Sequence, residues 1–125
     1  MKFYDLGSGN GKIIARIANA YPNLACVGIE CNIAAYSWAK LRNLFSKQKV
    51  LYRMENFFQT NLGDADIVYA YLFPNLMKRL EPKFTSELKK GTLLIVNSFP
   101  LKSKEPLKII QDKTNALGTL YIYEY

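Results

Sequence analysis

Apolar and polar positions along this chain switch between two periods, and the switches divide it into strands and helices. Lys2-Phe3-Tyr4 is a short strand fragment that runs into a glycine-rich turn, Gly7-Ser8-Gly9-Asn10-Gly11. From Lys12 to Tyr21, the residues Ile13, Ile14, Ile17, Ala18 and Tyr21 form a one-sided helical stripe, closed by Pro22-Asn23. Leu24 to Ile29 is a nearly continuous apolar run, the signature of a strand covered on both faces. Asn32 then suits the cap of a second helix carrying Ala34, Trp38, Leu41 and Phe45 at helical spacing.

Val50-Leu51-Tyr52 predicts a third strand, and Ile67-Val68-Tyr69-Ala70-Tyr71 a fourth after the Asn61-Leu62-Gly63-Asp64 turn. Leu76, Leu80, Phe84 and Leu88 mark a third helical face, with Pro82 expected to restart the helix and Gly91 to end it. Thr92 to Asn97 is the clearest strand. Ile109-Ile110 and Leu120 to Tyr125 predict an antiparallel hairpin joined by Asn115-Ala116-Leu117-Gly118. The order β-α-β-α-β-β-α-β plus a hairpin implies an α/β fold. Its expected form is a doubly wound, mostly parallel sheet with helices on both faces and right-handed crossovers.

Composition narrows the chemistry. At 125 residues the expectation is one domain, residues 1–125, without repeat or linker. The chain has no histidine, which removes Ser-His-Asp and Cys-His nucleophile pairs and most zinc sites. Cys26 and Cys31 form no CxxC unit, so two reduced thiols are expected rather than a redox or metal motif. No apolar run is long enough to span a bilayer and no signal peptide precedes the first charges, so a cytoplasmic setting is expected. The net charge of +7 favours acidic partners without bearing on the fold.

The glycine turn follows a strand and opens a helix, where backbone N–H groups face a ligand. A P-loop string is absent, and Lys12 stands where a dinucleotide fingerprint needs its third glycine. Asp5-Leu6-Gly7-Ser8-Gly9-Asn10-Gly11 instead fits DxGxGxG at every position. Glu30 ends the second strand, nineteen residues after Gly11, where a carboxylate can accept hydrogen bonds from a ribose diol. Taken singly, Glu30 could be a solvated strand-end carboxylate and Asp5 a turn aspartate; together with the glycines they form a joint signal.

This constellation, with the terminal hairpin, resembles the class I (seven-β-strand) S-adenosylmethionine-dependent methyltransferases, a Rossmann-like fold, across essentially the whole chain. The resemblance implies that Asp5 and the loop Gly7, Ser8, Gly9, Asn10 and Gly11 surround the methionine part of S-adenosyl-L-methionine. It also implies that Glu30, with Cys31 beside it, holds the ribose, and that Asn56-Phe57 meets the adenine. Asn56 stands at a position that is often Asp in the family.

After the fourth strand, Tyr71-Leu72-Phe73-Pro74 lacks the Asn/Asp-Pro-Pro-Tyr/Phe string of enzymes that methylate amides or adenine amines. This segment, the DLGSGNGKI loop and Ser98-Phe99-Pro100-Leu101 are similar to the small protein-lysine methyltransferases related to those acting on the ATP synthase c-subunit. The implied reaction is in-line methyl transfer to a neutral lysine. Tyr71 and Phe73 would line the acceptor channel, and Tyr71 would also border the cofactor; ordinary packing is the alternative for both. Such enzymes carry N-terminal helices before the first strand, which here begins at residue 2; either this is a minimal version whose cover comes from a partner subunit or a second copy, or the chain is shortened at its N-terminus.

From Cys31 to Met54 the chain carries Lys40, Arg42, Lys47, Lys49 and Arg53 and no acidic residue. A solvated helix face explains them, and a nucleic-acid footprint is the alternative. RNA methylation and a non-catalytic cofactor-binding subunit therefore stand as the competing functions.

Overall fold

The chain folds into its elements in the anticipated order. Strand β1 (Lys2–Leu6), helix α1 (Lys12–Ala20), strand β2 (Ala25–Glu30), helix α2 (Ile33–Leu44) and strand β3 (Leu51–Met54) lie in a first unit, Met1–Thr60. Strand β4 (Ile67–Ala70), helix α3 (Pro74–Glu87) and strands β5 (Leu93–Asn97), β6 (Lys108–Gln111) and β7 (Thr119–Glu124) lie in a second, Asn61–Tyr125. The structure, a computed structural model, describes residues 1–114 and 118–125; the turn expected at Asn115-Ala116-Leu117 lies outside the described residues. No described helix is long and apolar enough to cross a membrane.

In the first unit β2 lies between β1 and β3, all parallel, with Asp5 opposite Gly28 and Glu30 opposite Met54. Parallel strands need crossovers, and α1 and α2 supply them, packing on β2 and on β2 and β3 respectively. Burial of Phe3, Tyr4, Leu6, Val27, Ile29 and Ile14 holds this unit together, each large side chain contributing about 1.5–3 kcal/mol. In the second unit β4 and β5 are parallel, and β7 runs antiparallel between β5 and β6. The mostly parallel α/β class with a C-terminal antiparallel pair is therefore as the periodicities predict.

Two expectations are corrected. Pro82 does not restart a helix: α3 runs unbroken from Pro74 to Glu87 with Pro82 inside it. Burial of Met77, Leu80 and Phe84 outweighs the hydrogen bond that a proline lacking N–H withholds from the turn before it. Nor does Gly91 end α3, which stops at Glu87 with Leu88 as its C-cap. Helix α2 forms as expected: Asn32 caps it, its side chain accepting from the Ala35 N–H at 3.0 Å, and Trp38, Leu41 and Phe45 are exposed. The buried residue of α2 is the small Ala39.

Candidate functional site

Five residues after β1 build a tight loop because three of them have no Cβ. Gly9 and Gly11 adopt left-handed backbone, φ +56° and +76°, which other L residues rarely adopt. The Gly7 and Ser8 N–H groups both donate to the Ile29 carbonyl at 2.9 Å, tying the loop to the end of β2. Gly11 is the N-cap of α1, and Asn10 Oδ1 accepts from the Lys12 N–H at 3.2 Å. Among the described residues nothing lies within 4 Å of where a Cβ on Gly9 would point, so the loop crest is open.

Beneath the loop lies Tyr52 of β3. A Cβ on Gly11 would sit 2.7 Å from Tyr52 Cζ, and one on Gly28 would meet both the Tyr52 ring and the Ser8 hydroxyl. Tyr52 Oη donates to the Gly11 carbonyl at 3.4 Å. Burial, reinforced by the negative charge of Asp5, pushes the Tyr52 hydroxyl up to about 12. Tyr52 therefore remains a neutral donor and the floor of the loop. Arg42 of α2 reaches across to donate from Nη1 to the Asn10 carbonyl at 3.3 Å. Neither residue stands out in the sequence as part of the site; Gly28, in the middle of a strand, is the one local sign of a close approach.

The two expected carboxylates converge but in different states. Asp5 is buried near the end of β1, and burial, with the nearby charge of Glu30, raises it to about 7. Glu30 is half-buried and accepts two backbone N–H groups, from Gly9 to Oε2 and from Asn32 to Oε1, each at 2.8 Å. One side chain thus joins the glycine loop to the start of α2. A carboxylate oxygen has a second lone pair, so Glu30 keeps accepting capacity toward a hydroxyl. The Ser8 hydroxyl is buried without a hydrogen-bond partner among the described residues.

Cys26 is buried, its thiol pushed up by burial and then by Asp5, and Cys31 is exposed; both are free. Asn56 is exposed and closes a turn after β3, its Oδ1 accepting from the Phe58 N–H at 2.9 Å. The half-buried Phe57 ring packs against Phe58 with centroids 4.9 Å apart. Asp5, the loop, Glu30, Cys31, Asn56 and Phe57 all belong to the first unit.

Tyr71 and Phe73 belong to the second unit, just beyond β4, and are 55% and 70% exposed, so neither serves as core packing there. The Phe73 carbonyl accepts from the Leu76 and Met77 N–H groups at 3.0 Å, which fixes the backbone at the start of α3. The Ser98-Phe99-Pro100-Leu101 segment follows β5 and is anchored by the Leu101 N–H donating to Tyr123 Oη at 2.9 Å. Glu81 of α3 accepts from the Lys102 and Ser103 N–H groups and from the Ser103 hydroxyl.

The profile of the ANTKMT methyltransferase domain family matches residues 5–108. A protein-lysine N-methyltransferase of Saccharolobus islandicus (strain REY15A) is 33% identical over 96% of this chain and 76% of that protein. The adenine nucleotide translocase lysine N-methyltransferase of Mus musculus is 28% identical over 91% of this chain, which spans half of that protein's length. Among solved structures, an RNA methyltransferase from Salinibacter ruber, in complex with S-adenosyl-L-homocysteine, superposes with a TM-score of 0.90. The match covers 98% of this chain and 79% of that one at 26% identity.

Proposed function

The chain belongs to the ANTKMT methyltransferase domain family, and on that premise we propose that it is an S-adenosylmethionine-dependent protein-lysine N-methyltransferase. The observation that carries the cofactor half is the loop itself: an open crest at Gly9, an unpartnered buried Ser8 hydroxyl and the Glu30 carboxylate at its edge. These features suit a ligand with a cationic amino-acid end and a ribose. Lysine is favoured as acceptor by the 33% identity with the Saccharolobus islandicus enzyme, over most of both chains.

S-adenosylmethionine supplies a methyl group already activated on a positively charged sulfur. The chain's own task is placement. Gly7 to Gly11 form the bed of the methionine end, Asp5 provides negative charge beneath it, and Glu30 accepts from the ribose. Asn56 and Phe57 take the adenine, Phe57 by its ring face. Tyr71 and Phe73 line the approach of the acceptor, where apolar surroundings keep a lysine amine neutral and its lone pair free. The product ammonium releases its proton to solvent, so no side chain is required as a general base.

A second reading, methylation of RNA, is favoured by the Salinibacter ruber structure and by the basic run from Lys40 to Arg53. Three of those five cations are engaged within the protein: Arg42 on the loop, Lys49 on the end of α2, and Arg53 with Glu55 at 3.6 Å. That leaves a thin footprint for phosphates.

Calorimetry with S-adenosylmethionine tests the first half; absent binding, or undiminished binding in Glu30→Ala, overturns it. Transfer of labelled methyl into a cell extract tests the second. Label lost on protease treatment and kept on nuclease treatment is expected, and the reverse assigns RNA. Binding without transfer to any acceptor would make the chain a non-catalytic subunit.

A further inference from the structure

Helix α2 is assembled inside out. With 3.6 residues per turn, Ala35, Tyr36, Ala39 and Asn43 share the face turned to the sheet, and they are buried or half-buried. The opposite face carries Ile33, Trp38, Leu41, Leu44 and, at the C-cap, Phe45, exposed by 69%, 63%, 48%, 71% and 85%. A surface helix normally turns its large apolar residues inward and its charges outward. Single exposed apolar residues are commonplace, but five large ones on one face form a patch of the kind that marks a binding surface.

The borders of the patch are basic. Lys40 lies on one flank and Arg42 on the other, and Lys47 follows Phe45 beyond the helix end. Lys49 is committed elsewhere, its ammonium donating to the carbonyls of Asn43, Leu44 and Ser46 at 2.8–3.1 Å. No acidic residue occurs between Cys31 and Met54. A second copy docked on this face would set Lys40, Arg42 and Lys47 against their own counterparts, so the charge argues against self-association.

We propose that the outer face of α2 docks on an anionic phospholipid surface. Trp38, Leu41, Leu44 and Phe45 enter the boundary between headgroups and acyl chains, while Lys40 and Lys47, which the loop does not engage, lie among the phosphates. Apolar side chains with tryptophan on one face and cations at its borders are the composition of helices that lie in a membrane interface. The shape agrees. Side chains projecting from an outer helix form a ridge, which inserts, rather than a groove, which receives. This inference is independent of the methyl acceptor and uses none of the residues assigned to the cofactor.

Trp38 is the chain's single tryptophan and belongs to the patch, so the protein reports on its own docking. Titration with phosphatidylglycerol-containing vesicles should shift Trp38 emission to the blue and shield it from iodide. High salt should reverse both effects, because the cations contribute through screened charge. In Leu41→Gln/Phe45→Gln, circular dichroism should be unchanged and vesicle affinity should fall on the order of 100-fold. Four results would each overturn the proposal: no shift on anionic vesicles, an equal shift on pure phosphatidylcholine, a shift produced by protein concentration alone, or one produced by polyglutamate and not by lipid. The third would assign the face to a second copy and the fourth to an acidic polypeptide.

Discussion

Asp5→Asn should make this protein more stable at alkaline pH while weakening its hold on the cofactor. Asp5 is buried, and its carboxyl is raised from an ordinary 3.8 to about 7 by burial and by Glu30. In the unfolded chain that proton leaves near pH 4; in the folded chain it stays until about pH 7. Between those values the folded state binds more protons, so the wild-type chain loses stability as pH rises from about 4 to about 7. At about 1.4 kcal/mol for each tenfold change in acidity, the ionised side chain costs roughly 4 kcal/mol above pH 7. Asparagine keeps the shape and carries no charge, so it escapes that cost. Urea denaturation followed by circular dichroism should show Asp5→Asn gaining up to about 4 kcal/mol over wild type at pH 8, with the melting temperature rising on the order of 10 °C. At pH 5, where wild-type Asp5 is protonated, the two proteins should differ little. Calorimetry on the same variant should show weaker S-adenosylmethionine binding, because the negative charge beneath the methionine end is gone. A gain equal at both pH values, or a loss at pH 8, would refute the reasoning. Such an outcome would mean that the carboxylate is solvated or paired well enough to ionise at its ordinary value.

Gly11→Ala should cost at least about 2 kcal/mol, from the left-handed backbone and from the overlap with Tyr52. Adding Tyr52→Phe removes the hydroxyl and should recover part of the loss; strict additivity in the double-mutant cycle would show that Tyr52 is not the obstacle. Lys49→Met should destabilise α2 by about 0.5–1 kcal/mol, since its ammonium satisfies three carbonyls at the helix end, and faster amide exchange near Asn43 to Ser46 should accompany it. An unchanged exchange pattern would mean that water replaces the ammonium without cost.

Much of this arrangement is legible in the chain because its strands and helices are short and each has a clear period. Leu24 to Ile29 reads as a strand covered on both faces, and Asp5 with Gly7, Gly9 and Gly11 reads as a ligand loop from residue type and spacing alone. What escapes is of two kinds. The first is direction: Trp38, Leu41 and Phe45 have helical spacing, but spacing does not say whether the stripe faces the sheet or the solvent. The alanines at 35 and 39, small enough for close packing, reverse the usual orientation. The second is distance along the chain. Tyr52 and Arg42 meet the loop at sequence separations of 41 and 32, and no local pattern announces such a contact. Pro82 escapes for a related reason, since the buried face of α3 outweighs a local rule.

Glu30 has a consequence for how variation at its position should be understood. Its two oxygens hold two stretches of backbone, one at Gly9 and one at Asn32, at the same 2.8 Å. The side chain is therefore a strut as well as an anion, and it needs both its reach and its two acceptor oxygens. Aspartate keeps two acceptors and comes up one methylene short; glutamine keeps the span and turns an NH2 donor against one of the two N–H groups. Neither acidity nor size alone makes a replacement conservative there.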